Sequence, residues 1–295
     1  MKVLVIGSSG FLGRNVAKEL AGDNDVYSAS RQGGQGDHDV ALDLSDKASI
    51  VDALQRVHPD AIVNCAGIVE NNEKADMNPV FTKNLLDAVL ESHLDLERIV
   101  VLGSAAEYGV VGEDEVPVPE EVPPRATSPY GVSKAKEAEV VAEYRQKYHL
   151  PVVSARVFNP IGAGMPERQL IPRILNQIQE IKDGTKDAIE VSRLDSERDY
   201  IDVSDVALAI GALLKSRPKQ DVYNIGSGKK TTNGELIDLL VKYSGLEGKA
   251  VVRETQSEKE PHFASQADIT RITEELGWQP THTIEDAVQE IVHAE

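Results

Sequence analysis

A single cysteine, Cys65, stands among 295 residues. No intrachain disulfide is possible, which fits a reducing compartment, and the expected localisation is cytoplasmic. Positive charge is scarce: 31 Lys and Arg face 49 Asp and Glu, a net charge of −18. Such a surface repels phosphate backbones and anionic lipid, which argues against nucleic acid and membrane as partners. Any phosphorylated ligand must then be met by a local cluster of donors. No apolar run approaches the ~18 residues of a membrane span. Met1-Lys2 leads straight into an apolar strand, so no leader is expected. No repeat and no low-complexity segment is found, and no metal site is expected.

What is present is material for one large core, with 41% of residues hydrophobic. Residues 2–6 (Lys-Val-Leu-Val-Ile) form a short apolar run, then a glycine-rich turn, then a helical pattern from Phe11 to Leu20. The alternation repeats. Strands are expected at Val26–Ser30, Ala61–Cys65, Arg98–Leu102 and Val152–Arg156. Helices are expected at Lys47–Val57, Pro79–Glu91 and Tyr130–Tyr148. Near-continuous apolar strands alternating with helices predict an α/β fold: a Rossmann-type, doubly wound parallel sheet. Ligands of such sheets sit at the carboxyl ends of the strands. The pattern breaks after Asn159. Residues 161–197 hold a polar helix (Ile171–Asp183) and a strand near Ile189. Strand and helix signals return at Asp199–Leu214 and Asp221–Ile225. The expected division is a dinucleotide-binding domain of 1–160 with 198–228 and a smaller substrate lobe of 161–197 with 229–295. The loop 107–128 is long for a structureless connection, hence either functional or ordered against the site.

Gly7-Ser8-Ser9-Gly10-Phe11-Leu12-Gly13 follows the first strand and opens a helix. Glycines let backbone N–H groups approach a pyrophosphate, and a helix N-terminus favours its charge. The spacing is G-x-x-G-x-x-G. The second strand ends Ser28-Ala29-Ser30-Arg31, without the acid that would take the 2′-hydroxyl of NAD. Ser30 and Arg31 suit a 2′-phosphate instead, so NADP(H) is favoured and NAD(H) remains possible. Arg14 is a further candidate charge; the alternative for Arg31 is a solvated loop residue. After the third strand, Asp43-Leu44 offers a carboxylate to the adenine amino group, while Ser45 or Asp46 suits a helix cap.

Tyr130-Gly131-Val132-Ser133-Lys134 places a phenol and an ammonium four residues apart on one helix face. A tyrosine of ordinary pKa near ~10 is a poor acid–base catalyst at neutral pH. A neighbouring ammonium stabilises its phenolate. Ser104, in Gly103-Ser104-Ala105-Ala106-Glu107-Tyr108-Gly109, falls at the end of a strand, where it can hydrogen-bond a substrate oxygen or cap a turn.

Glycine turn, serine loop and Y-x-x-x-K in this order resemble the extended short-chain dehydrogenase/reductase superfamily, the NAD-dependent epimerase/dehydratase family. The resemblance covers essentially the whole chain. Asp60-Ala61-Ile62-Val63-Asn64-Cys65-Ala66-Gly67 looks like the family's strand-four segment, with Asn64 in place of the usual histidine. This implies cofactor contacts at Cys65, Ala66 and Gly67. Asn78 falls where the family keeps an active-site asparagine, and Phe81 where glycine is common. Arg156-Val157-Phe158-Asn159-Pro160-Ile161-Gly162 is similar to R-x-x-N-x-x-G. There Phe158 is implied to face cofactor and Asn159 the substrate. Arg198-Asp199-Tyr200-Ile201-Asp202-Val203-Ser204-Asp205 is similar to R-D-F-x-x-V-x-D and implies Arg198 as a substrate contact. The ending Leu276-Gly277-Trp278-Gln279-Pro280 is family-typical.

Within the family the serine loop and Ser-Pro-Tyr-Gly-Val-Ser-Lys look like those of GDP-4-keto-6-deoxy-mannose reductases. Glu107 then either contacts substrate, as implied by that likeness, or is a solvated loop acid. Sugar-nucleotide 4,6-dehydratases carry an acid where this chain has Ala106, so dehydration lacks its base. The resemblance therefore implies reduction of a keto group on a nucleotide sugar. One alternative is an NAD-dependent 4-epimerase; another, of a different class, is a non-catalytic NADP-binding subunit. Residues 257–263, where relatives hold the diphosphate, place two glutamates around one lysine, leaving Arg193 and Arg198 to compensate. Relatives pair the helices 79–91 and 130–148 about a two-fold axis, which implies a homodimer.

Overall fold

A computed structural model of the chain describes residues 1–255 and 266–294. The central sheet contains β1 (Lys2–Ile6), β2 (Asp25–Ser30), β3 (Asp39–Ala41), β4 (Ala61–Asn64), β5 (Arg98–Ser104), β6 (Val152–Val157) and the strand Val222–Ile225. Its spatial order is Val222–Ile225, β6, β5, β4, β1, β2, β3, and every pairing is parallel. The order reverses beside β1, so the crevice at its carboxyl end is open to a ligand.

Both faces of each strand are apolar because both are covered. Val3 and Val5 enter one layer with Val206, Ile210 and Leu213 of α6 (Val203–Lys215). Leu4 and Ile6 enter the other with residues of α2 (Lys47–Val57) and α3 (Met77–Ser92). This alternation of two buried faces is why the strands read as continuous apolar runs. Helix starts follow local chemistry. Asp46 accepts from Ala48 N to cap α2. Ser128 accepts from Gly131 N, with Pro129 in the first turn, to open α4 (Pro129–Tyr148).

A third apolar cluster lies apart from the sheet. It joins Ile171, Ile174 and Ile178 of α5 (Leu170–Lys182) to Leu236, Ile237 and Leu240 of α7 (Asn233–Tyr243) and to Val288 of α9 (Ile284–Ala294). Ile272 of α8 (Thr270–Leu276) and Trp278 join the first layer beside the sheet, although both follow residue 229. The loop 107–128 is ordered: Tyr108 Oη donates to Asn224 Oδ1 at 2.8 Å, and Val118 bridges Ala267. Among the described residues no helix is long and apolar enough to cross a membrane.

Candidate active site

The glycine turn leaves β1 with Gly7 at φ +80°, a conformation only glycine adopts freely. A Cβ on Gly13 would stand 2.1 Å from the Gly7 carbonyl oxygen, so the first turn of α1 (Phe11–Leu20) can close against the loop only with glycine there. Among the described residues no side chain caps α1, and its first turn holds no acid. Its N–H groups and dipole are therefore available to an anion.

A cavity of about 330 Å³ opens at this point, lined by Gly7, Ser9, Gly10, Ser30, Arg31, Asp43 and Leu44, and closed by Cys65, Ala66 and Gly67. The donor set suits a dinucleotide: an uncapped helix end, a hydroxyl with a guanidinium, and a carboxylate. Ser45 holds Asp43 through its N–H at 2.8 Å and its hydroxyl at 2.7 Å, which keeps that carboxyl below its ordinary range. Burial pushes the Cys65 thiol up to about 12, so it is an apolar wall and not a nucleophile. Phe11, Leu12 and Gly13 do not line this cavity. Leu12 packs into the first core layer, and Phe11 joins the third cluster beneath the Arg14 guanidinium, 5.7 Å from its ring. Arg14 donates to the carbonyls of Ala163 and Gly164, which commits its charge to that loop.

Ser104 ends β5, and Tyr130 and Lys134 open α4. Ser104 Oγ accepts from Ala106 N at 3.2 Å, so it does cap the short turn that follows. No described residue takes its proton. A Cβ on Gly131 would lie 2.5 Å from the Ala106 carbonyl oxygen, so this glycine lets α4 abut the serine loop. Ser104 and Tyr130 consequently line one cavity of about 400 Å³ together with Phe158, Asn159 and Arg198. Among the described residues no carboxylate lines it. Lys134 lies behind, buried, its Nζ donating to the Leu102 carbonyl at 2.9 Å and to Glu137 Oε2 at 2.6 Å. Burial alone would depress the ammonium, but the Glu137 charge raises it above its ordinary value.

Residues 3–226 match the model of the NAD dependent epimerase/dehydratase family. The chain belongs to the NAD dependent epimerase/dehydratase family. It is an NAD(P)-dependent oxidoreductase of that family. It is 29% identical to a dTDP-6-deoxy-L-talose 4-dehydrogenase (NAD(P)(+)) of Kitasatospora kifunensis, over 98% of this chain and 94% of that one. It is 28% identical to the GDP-6-deoxy-D-mannose reductase of Pseudomonas aeruginosa, over 99% and 96%. The solved structure of RMD from Pseudomonas aeruginosa complexed with NADPH superimposes with a TM-score of 0.88 at 27% identity, covering 99% of this chain and 98% of that one.

In the cavity that Tyr130 lines, two of the residues implied by resemblance come together. Asn159–Ile161 pairs in parallel with Tyr200–Asp202, which sets Asn159 beside Arg198. Both also line an adjoining cavity of about 430 Å³ walled by Ile161, Met165 and Tyr200. Arg198 Nη1 donates to Ser196 Oγ and the Glu197 carbonyl. Arg193 pairs with Asp195 and lines neither cavity. Residues 257–263 lie outside the described residues.

Two expectations change. Glu107 is not a solvated acid, and it lines neither of these cavities. It is wholly buried, accepts from Ser104 N at 2.7 Å, and receives Nε and Nη2 of Arg156, each at 2.8 Å. Burial pushes its carboxyl up and the Arg156 guanidinium pulls it back. The guanidinium also lies over the Tyr108 ring, 4.4 Å from its centroid. Asn78, expected at the chemistry, spends its amide on the Ile68 backbone, at 2.7 and 3.0 Å, and on Ser133 Oγ at 3.1 Å. It clasps the loop after β4 to α4. The sequence reading did not single out Asn71, whose Oδ1 accepts from Tyr130 N at 3.2 Å, or Glu137. Glu137 had a signal: 130, 134 and 137 share one helix face.

Proposed function

We propose that the protein is an NADP(H)-dependent reductase of a keto group on a deoxysugar nucleotide such as GDP-4-keto-6-deoxymannose. The observation that carries this is one cavity holding Ser104, Tyr130 and Arg198, with no carboxylate among the described residues that line it, adjoined by a second that Arg198 and Asn159 also line. A ketoreductase needs a proton donor and an oxygen anchor there; a dehydratase needs a further acid. The reductase and dehydrogenase relatives of similar length support the sugar class. When bound, the reduced nicotinamide supplies a hydride. Gly7, Ser9 and Gly10 with the α1 N-terminus would hold its pyrophosphate, and Ser30 with Arg31 its 2′-phosphate. Ser104 Oγ donates to the keto oxygen. Tyr130 Oη gives its proton to that oxygen as negative charge develops on it, and Lys134 stabilises the phenolate left behind. Arg198 and Asn159 bind the phosphorylated part of the substrate. A 27% identical UDP-glucose 4-epimerase of Lactobacillus helveticus supports the second reading, an NAD-dependent epimerase, in which the 2′-phosphate roles of Ser30 and Arg31 fall away. The protein works as a cytoplasmic homodimer.

The test is Tyr130→Phe with NADPH and GDP-4-keto-6-deoxymannose. Turnover falls by at least ~10²-fold, the typical worth of a positioned proton donor, while NADPH affinity is kept. Retention of most turnover overturns the assignment.

A further inference from the structure

Lys134 and Glu137 lie one turn apart on α4, and both point inward, with side chains 5% and 3% exposed. Glu137 Oε2 receives Lys134 Nζ at 2.6 Å. Its other oxygen accepts from Thr82 Oγ1 of α3, also at 2.6 Å. Thr82 Oγ1 in turn stands 3.5 Å from Asn64 Nδ2 at the end of β4. The carboxylate is thus tied to three elements of the fold. An ammonium has three N–H groups. The Leu102 carbonyl and Glu137 take two of them. The wall of the cofactor cavity is close by: a Cβ on Gly67 would lie 3.5 Å from Nζ.

We propose that Glu137 is a positioning residue for the reaction: the buried counter-ion that fixes the Lys134 ammonium and keeps it charged beside Tyr130. This rests on the reading of Lys134 as the tyrosine's partner. A lysine closed off from water without a counter-charge loses its proton, by up to 3–5 units of pKa in documented cases. A neutral amine cannot stabilise a phenolate. The other titratable groups facing Lys134 do not substitute for Glu137. Tyr130 on the same helix is the group to be stabilised. Glu107, behind the serine loop, is committed to Arg156. The Cys65 thiol, after β4, stays protonated.

The experiment needs no substrate. Protein carrying lysine labelled with carbon-13 at Cε is titrated by NMR, and the Lys134 resonance is assigned by its loss in Lys134→Arg. In the parent, Lys134 stays protonated through the ordinary lysine range and above it, held by the Glu137 charge. In Glu137→Gln its titration moves down by at least ~2 units. Glu137→Met, which leaves no polar group to bury, carries the same measurement if the glutamine variant does not fold. Glu137→Asp, which keeps the charge, returns the titration toward the parent. A purely structural carboxylate would leave the Lys134 titration unmoved in Gln and Met alike, and that result overturns the proposal. In an NADPH assay with GDP-4-keto-6-deoxymannose, the basic limb of the kcat profile follows the Lys134 titration downward. If Lys134 titrates lower while Tyr130→Phe remains active, the counter-ion role stands and the catalytic reading of the pair falls.

Discussion

Glu107→Ala separates a structural carboxylate from a substrate contact. The side chain is wholly buried, accepts hydrogen bonds from Ser104 N and Arg156 Nε, and forms an ion pair with Arg156 Nη2. Its removal strands a guanidinium whose side chain is 5% exposed. Arg156 Nη1 already lacks a hydrogen-bond partner among the described residues. Breaking a buried pair from one side costs about 3–5 kcal/mol, because the desolvated charge that remains is uncompensated. Total stability is of the order of 5–15 kcal/mol, so the variant sits close to its unfolding margin. Glu107→Gln keeps the shape and an acceptor for Ser104 N, and falls between parent and alanine. Replacing the pair together, Glu107→Leu with Arg156→Met, costs less than Glu107→Ala, since no charge is left buried. Urea unfolding followed by circular dichroism reads these differences through midpoint and slope. A loss below about 1 kcal/mol in Glu107→Ala, with KM for the nucleotide sugar raised, would refute the argument and return Glu107 to the substrate.

In Arg31→Asp the preference for NADPH over NADH reverses, since one charge-assisted hydrogen bond of about 1.5–3 kcal/mol is replaced by repulsion. Dissociation constants for both cofactors on both proteins measure this, and equal constants in the parent place Arg31 in solvent. His282 donates to the buried carboxylate of Asp205, which raises its pKa above the ordinary value despite the opposing effect of burial. A raised histidine stabilises the fold fully below about pH 6.5, and the contribution is lost as pH rises through the folded-state value. The stability gap between parent and His282→Asn therefore narrows as pH rises above about 6.5. It stays below about 1 kcal/mol because the ring is 40% exposed; a gap independent of pH refutes the pair. Light scattering at micromolar concentration gives twice the chain mass if α3 and α4, which expose Met77, Val80 and Tyr148, pair across a two-fold axis. A monomer there removes the dimer.

Much of the sheet was legible residue by residue. Lys2–Ile6, Phe11–Leu20 and Lys47–Val57 occupy the expected bounds because their ends carry local signals: a glycine turn, an aspartate cap, a run of apolar residues. The third strand was expected only by its place, since Asp39–Ala41 is three residues long and has one buried side chain. The pairing of Asn159–Ile161 with Tyr200–Asp202 has no local signature at all, because each partner is three residues long and they lie some forty positions apart. The placement of Ser104 at a strand end and of Tyr130 and Lys134 on one helix face was legible, because strand and helix ends carry local signals. The buried contacts of Glu107 and Asn78 were not.

The sequence by itself determined the alternation of strand and helix, the glycine turn that opens α1, and the helix face shared by Tyr130 and Lys134. These rest on backbone hydrogen bonding and on periods of two and 3.6, which act over a few residues. Tertiary structure alone decided what each charge does. Glu107 and Arg156 are separated by 49 positions, and only the pairing of β5 with β6 sets one against the other. Asn78 and Ser133 are separated by 55, and only the packing of α3 on α4 joins them. A carboxylate in water is a solvated acid; the same group closed off from water must find a cation and hold it. Whether Glu107 and Glu137 are surface charge or the framework of the site depends on burial, and burial is a property of the assembled fold.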